Sequence, residues 1–347
     1  MRNFRTLVIA TTAIAALSSC SKDNNTPQPG KPNPGQEEKP TPGLQGNGKV
    51  SLQFENYVGE EKLTLGADAN TAKAYTSNGQ TLKFSEVKYV ITNIVLVKAD
   101  GTKVPYHTED LDKGGFLINQ ENTTSLTPIL TELPEGDYKG IEFGLGVKKE
   151  LNNLKLQDKF PNFYNLTGKF SFESGKIMHW EWANGYRFVK LEGWYSNATA
   201  TNDTLSIHMG SAFKGTKVVG EDKKVKEIKD EYLNVDRDAF RFISLDFPKT
   251  LSVKKGVTAK VTIKADLDKL VNGTNKITLE GKVPIVHSLN NMFPFLNNIG
   301  GNQGLDGKKI ITITSPAKGN PNPTQPQDNL DNSKLDKVGM FSVTNVE

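Results

Sequence analysis

One cysteine, Cys20, stands in the whole sequence, so no disulfide can cross-link the fold within the chain. A hydrophobic core must hold the domain instead, and a chain of 347 residues is long enough to bury one. Long apolar runs are also scarce. The run at residues 7–17 is too short to span a bilayer. Neither sign of charge dominates: 43 Lys and Arg stand against 39 Asp and Glu. That balance offers no electrostatic case for nucleic acid. There is no Gly-x-Ser-x-Gly elbow, no phosphate-cradling glycine loop and no His-Glu-x-x-His zinc pair. No pair of carboxylates is set apart by its context, and no internal repeat is visible. These absences point to a binding protein and not to an enzyme.

What is present begins with a leader. Arg2 and Arg5 precede the apolar run, and Leu17-Ser18-Ser19-Cys20 ends it, the layout of a signal peptide over residues 1–19. A lone Cys after Leu-Ser-Ser resembles the bacterial lipobox, in which the Cys is lipidated and becomes the first mature residue. Cys20 is therefore the expected lipidation site, and acyl chains, not a helix, are the expected membrane anchor. Ser21-Lys22-Asp23 resembles the charged export tag of surface-exposed Gram-negative lipoproteins. The expected location is the outer membrane of a Gram-negative bacterium, on the periplasmic or the outer surface. Residues 20–47 are rich in Pro, Gly and Asn and nearly empty of bulky apolar side chains. They read as an extended tether, with a single folded domain over 48–347.

The domain reads as all-β. Val50, Leu52 and Phe54 alternate with Ser51, Gln53 and Glu55, a period of two. Residues 87–98, VKYVITNIVLVK, are β-branched and dense in apolar side chains, which predicts a buried central strand. Asp100-Gly101 then closes a hairpin onto residues 102–107. Further strands are expected at 140–147, 204–209, 240–247, 258–265 and 338–346. Residues 128–133 fit a short helix or an edge strand, and residues 151–166 a helix or an irregular loop. The charge run 221–231 reads as a solvated loop or short helix, and residues 285–301 show no clean period. Many short strands separated by turns predict an antiparallel β-sandwich, jelly-roll or immunoglobulin-like, with few short helices.

One stretch concentrates unusual residues. Residues 175–193, GKIMHWEWANGYRFVKLEG, hold two of the three tryptophans, one of the four histidines and a Met. If 177–183 is a regular strand, Met178, Trp180 and Trp182 share one face, and His179 and Glu181 the other. Glu181 and Glu192 read as exposed strand carboxylates. Three methionines lie near a histidine: Met178 by His179, Met209 by His208, and Met292 five residues after His287. Thioether sulfur suits Cu(I), and imidazole suits copper, zinc and iron. Taken singly, each of these Met and Trp residues is also what a packed core needs.

The pattern Met178-x-Trp180-x-Trp182-x-x-Gly185-Tyr186-x-Phe188, followed by Gly193, resembles the MbnP-like family of periplasmic and secreted copper-binding proteins. His208-x-Gly210 resembles that family's next His-x-Gly. The segments FENYVGEEKLTLG, YTSNGQTLKFSEVKYVITNIVLV and LPEGDYKGIEFGLGV, and a closing MFSV strand, are similar to it as well. The resemblance implies a β-sandwich that binds copper through histidine and a kynurenine made by oxidising a tryptophan. It also implies a di-haem, peroxidase-like partner that carries out the oxidation. Residue by residue, Trp180 and Trp182 match the Trp-x-Trp pair, either being a candidate for oxidation, and His208 matches the histidine of His-x-Gly. Met178 and His287 are candidate additional copper ligands. The competing expectation is a metal-free surface lipoprotein that binds a glycan or a protein, with Trp180, Trp182, Trp194 and Tyr195 as an aromatic platform. The direction of His208, toward the Trp pair or away from it, separates the two.

Overall fold

The computed structural model describes residues 44–168, 177–180, 185–211, 216–222, 224–229, 239–273, 275–281, 286, 289–300, 310–314 and 339–347. Cys20, the leader and nearly all of the expected tether lie outside them. In chain order the strands are β1 Gly48–Val58, β2 Glu61–Lys62, β3 Tyr75–Ser77, β4 Gln80–Lys98, β5 Lys103–Tyr106, β6 Phe116–Asn119, β7 Ile129–Leu133, β8 Gly136–Leu145 and β9 Val189–Ser196. Then follow β10 Asp203–Met209, β11 Thr216–Val219, β12 Val225–Lys229, β13 Arg241–Val253, β14 Thr258–Asp266, β15 Lys276–Glu280, β16 Ile310–Thr314 and β17 Phe341–Val346. The helices are short: α1 Leu111–Gly114, α2 Pro161–Leu166, α3 Lys269–Asn272 and α4 Leu289–Gly300. No described helix is long and apolar enough to cross a membrane.

Two sheets face each other. One runs β17-β14-β1-β2, with β7 also on β1; the other runs β10-β9-β4-β8-β13, with β3, β5 and β6 also on β4. Rings from both sheets interlock between them. Phe54 of β1 meets Tyr89 of β4 and Phe143 of β8 edge-on, with centroids 6.0 and 6.3 Å apart, and Phe341 of β17 meets the same two rings at 5.7 and 5.2 Å. Offset and edge-on contacts of this kind are what aromatic quadrupoles favour. The expected all-β sandwich is what forms. It is not purely antiparallel: β1 runs parallel to β14, and β15 parallel to β16. A parallel pair needs a long crossover, and the second sheet is built in the chain between β1 and β14.

The long strand β4 organises the second sheet. It pairs with β9 through Tyr89 and with β8 from Ile91 onward, with a register shift between Thr92 and Val95. Asn93, inside that shift, has φ +55°. At the handover, Val90 donates its N–H to the Phe188 carbonyl and accepts from Gly146 N–H, at 2.9 and 2.8 Å. Gly146 has φ +100°, and a Cβ there would lie 2.2 Å from the Phe188 ring. Glycine is thus required where β8, β4 and the approach to β9 converge.

Three local expectations are corrected. The charge run near 221–231 contributes a strand, β12, paired with β11. The Gln157 side chain anchors it by donating to the Val225 carbonyl at 2.7 Å and accepting from Val225 N–H at 3.1 Å. The stretch 285–301 contains helix α4. Its period was hidden because asparagines lie on its buried side: Asn298 accepts from Asn275 N–H and donates to the Leu270 and Asn275 carbonyls. Buried amides satisfied in this way replace apolar residues without cost in lost hydrogen bonds. The third correction concerns residues 177–183, of which 177–180 are described and form no regular strand.

Candidate functional site

The arm Ile177–Trp180 and the return from Gly185 to Phe188 touch through one isolated bridge, His179 to Tyr186. Met178 N–H donates to the Thr167 carbonyl, and Arg187 N–H to the Met178 carbonyl, at 2.9 and 2.7 Å. Trp180 N–H reaches the Gly185 carbonyl at 3.3 Å. Asn152 fixes the return by accepting from Tyr186 N–H at 2.8 Å. Phe188 N–H donates to the Met209 carbonyl, which ties the return to the end of β10. With no regular strand, side chains do not alternate between a core face and an open face. Met178, His179 and Trp180 are all buried.

The three have different surroundings. Met178 belongs to the hydrophobic core. His179 is fully enclosed: it stacks on Tyr164 at 4.6 Å and meets Tyr186 edge-on at 5.1 Å. Its Nε2 lies 2.8 Å from the Thr167 hydroxyl, which is itself 2.8 Å from the Phe163 carbonyl. A carbonyl only accepts, so the hydroxyl donates to it and accepts a hydrogen bond from the His179 Nε2–H. Trp180 follows His179 in the chain and lies beside His208 in space. The Arg187 guanidinium sits over its ring, 5.1 Å from the centroid, within cation–π range. The His208 ring lies 6.4 Å away, tilted by 59°. Arg187 is held by an Nη1 hydrogen bond to the Ile177 carbonyl at 2.7 Å.

Gly210 explains the spacing of His-x-Gly. A Cβ there would lie 2.7 Å from the Tyr186 carbonyl oxygen, 3.1 Å from Trp180 Nε1 and 3.3 Å from its Cζ2. The indole edge therefore rests where a side chain would be, and the glycine two residues after His208 brings Trp180 alongside it. Gly193 plays a similar part in β9, since a Cβ there would fall 2.0 Å from the Lys83 carbonyl oxygen.

His208 projects from a charged row across three strands. In register, Lys88 of β4 faces Lys190 of β9, which faces His208 of β10; one step along, Glu86 faces Glu192, which faces Ser206. These six share one side of the sheet, because residues two apart do; Val189, Leu191 and Ile207 turn to the core. Glu86 takes Lys88 on Oε1 at 2.5 Å and Lys190 on Oε2 at 2.7 Å. Glu192 Oε1 takes His208 Nε2 and, at 3.3 Å, the Ser206 hydroxyl. Glu192 is thus not the exposed carboxylate expected of it; it is half-buried and paired.

Burial drives the electrostatics of the pair. It pushes the His208 pKa below the ordinary value, against the raising effect of the Glu192 hydrogen bond, and Arg187 and Lys190 lower it further. Burial pushes Glu192 up, but the His208 hydrogen bond and the charges of His208 and Lys190 outweigh it, so its carboxyl ends below the usual range. Desolvation likewise lowers Lys190, opposed by Glu86. The arrangement favours a neutral imidazole beside an ionised carboxylate.

Of the residues singled out in the sequence, the structure brings Trp180 and His208 together. Met178 packs in the core, and Trp182 and His287 lie outside the described residues. Arg187 and Glu192 were not foreseen as neighbours of this pair. Tyr195 is buried in the core, as Trp180 is beside His208, and Trp194 is half-buried, so the first two offer no open face for a sugar ring. Among the described residues, no three His, Cys, Asp or Glu converge as a metal cluster.

The family model described as MbnP matches residues 47–288 of this chain. Among solved structures, MbnP from Methylosinus trichosporium is similar at 16% identity and a TM-score of 0.46, over 74% of this chain and 89% of that one. No curated protein matches.

Proposed function

Since this chain belongs to the MbnP family, we propose that it is an extracytoplasmic copper-binding lipoprotein, lipidated at Cys20 and held at the outer membrane of a Gram-negative bacterium. The observation that carries this reading is the placement of His208 beside Trp180, with Gly210 making room for the indole. The donor chemistry fits copper in part. A neutral imidazole suits Cu(I) and Cu(II) alike, and the half-buried Glu192 supplies negative charge beside it. The described residues do not complete a ligand set alone. Trp182 and His287 are the candidates to add to it, and so is Trp180 itself after oxidation.

Oxidative cleavage of the indole C2–C3 bond adds two oxygen atoms, and hydrolysis then releases the C2 carbon as formate. The net change to kynurenine is one carbon lost and one oxygen gained, which exposes an aryl amine and a ketone. A di-haem partner enzyme would supply the oxidising equivalents. Within this chain, Arg187 and Gly210 hold the indole in place, and the fold around it keeps bulk water from the ring. His208 then offers nitrogen at the same spot.

Two measurements test the reading. Cu(I) titration of the wild type should show tight binding that His208→Ala largely removes. Intact mass of the protein from its native host should show a gain of about 4 Da for one kynurenine. Equal affinity in the two proteins removes His208 from the site, and a wild type that takes up no copper removes the function. For the anchor, Cys20→Ala should leave the membrane fraction; a variant that stays there at high salt refutes lipidation.

A further inference from the structure

Glu192 takes no part in the family-like motif that pointed to the site, yet it is the group His208 touches. A carboxylate only accepts hydrogen bonds. The His208 nitrogen facing it, Nε2, must therefore carry the proton, and in the neutral ring the lone pair then sits on Nδ1. We propose that Glu192 is the positioning residue of the copper site: it commits Nε2 of His208 and so directs the metal to Nδ1. The inference rests on the copper reading for its ligand, but its tautomer half concerns this chain alone.

Three features of the sheet support it. The first is a division of labour between neighbouring carboxylates. Glu86 takes Lys88 and Lys190 on separate oxygens, whereas Glu192 Oε1 takes His208 Nε2, with the Lys190 charge acting on both carboxylates. The second is a further donor on the same oxygen. The Ser206 hydroxyl lies 3.3 Å from it and donates to it, which helps fix the carboxylate above the β9–β10 pair. The third is backbone rigidity. Glu192 and His208 stand on adjacent antiparallel strands, one register step apart, and Gly193 locks β9 against β4 by close approach. A carboxylate on the outer nitrogen of a metal-binding histidine fixes ring orientation and raises the basicity of the inner one.

The test uses the full chain labelled with 15N-histidine, Cu(I) as the probe, and the variants Glu192→Ala and Glu192→Gln. His208→Gln identifies the His208 signals by their loss. In the apo wild type the His208 ring should show a protonated Nε2 and a bare Nδ1, and added Cu(I) should move the Nδ1 resonance. Glu192→Ala should mix the tautomers and weaken Cu(I) binding about 10- to 100-fold. Glu192→Gln, whose amide oxygen can still accept from Nε2, should keep more of both. A merely structural role for Glu192 would lower the melting temperature without moving the tautomer. Two results overturn the inference while copper binding stands: a protonated Nδ1 in the apo wild type, or a Glu192→Ala protein with unchanged tautomer and affinity. If the wild type shows protonated Nε2 but takes up no Cu(I), the copper reading fails and takes the metal half of the inference with it.

Discussion

His179 precedes Trp180 in the chain and His208 lies beside it in space, and the surroundings of the two histidines are opposites. His179 is closed in by Tyr164 and Tyr186 and bonded to the neutral Thr167 hydroxyl. His208 stands at the end of a row of charges, bonded to a carboxylate, with a cationic Arg187 nearby. Both are largely buried, so burial alone does not tell a packing histidine from the proposed ligand. The partner does. A hydroxyl that accepts from the ring and donates to a carbonyl completes a local structural bond and adds no charge. A carboxylate fixes the ring and adds the negative charge that a bound cation needs nearby.

The aromatic side of this contrast should be structural, and the largest expected effect lies there. Phe188 is fully buried and packs on Gly146 at the β4 handover. Phe188→Ala should cost about 3–5 kcal/mol in chemical unfolding. A midpoint equal to wild type would mean that the handover does not depend on the ring. Next comes the contrast itself. His208→Ala should lose about 100-fold or more in Cu(I) affinity, beyond what an outer partner contributes, with modest change in stability. His179→Ala should do the reverse, with a clear drop in melting temperature and affinity close to wild type. If the two variants exchange these outcomes, the assignment of roles is inverted.

Gly210→Ala comes third. Overpacking against Tyr186 and Trp180 should cost about 1–3 kcal/mol, and it should change the fluorescence of Trp180 because the indole must move. Unchanged emission would show that the indole does not rest on Gly210. The smallest effect concerns acid. The folded-state pKa of His208 lies below the usual 6.5 and that of Glu192 below the usual 4.5. Protonation of either is harder in the folded chain than in the unfolded one. The His208 contribution is therefore fully present above pH 6.5 and lost as pH falls through the window below it; that of Glu192 is lost below 4.5. The apo protein should begin to lose stability below pH 6.5, and His208→Gln should flatten that first loss. The half-buried His107 shifts the same way and is present in both proteins, so the difference between the slopes isolates His208. Parallel slopes would show that His208 titrates as it does in the unfolded chain.

Much of the sandwich was legible because alternation and turn residues are local. Residues 204–209 were read as a strand that runs Asp203–Met209, and residues 87–98 as a core strand that is the second part of β4. The pairing of Trp180 with His208 was reachable only through the family-like spacing. Glu192 was missed because its meeting with His208, sixteen positions on, depends on the register of β9 with β10. Residues 177–180 were misread because aromatic packing and the Thr167 and Gly185 carbonyls set that backbone in place of a ladder. The helix α4 was hidden by buried asparagines whose partners sit on α3 and just before β15. For Glu192 and α4 the deciding contact lies far along the chain, where no short window reaches it.

The parallel pairing of Lys49 with Thr258 has a bearing on the order of assembly. Strands β3 to β6, β8 to β10 and β13, the sheet that carries His208, all precede β14 in the chain. A polypeptide released from its N-terminal end can zip that sheet while β1, already joined by β2 and β7, still waits for β14. Until β14 and β17 arrive, Tyr89 and Phe143 lack the Phe341 ring that covers them in the finished core. Contacts this distant in sequence fold slowly and leave apolar surface open meanwhile. The sheet that carries His208 is thus complete early in the chain, and the sheet that shields its inner face is completed late.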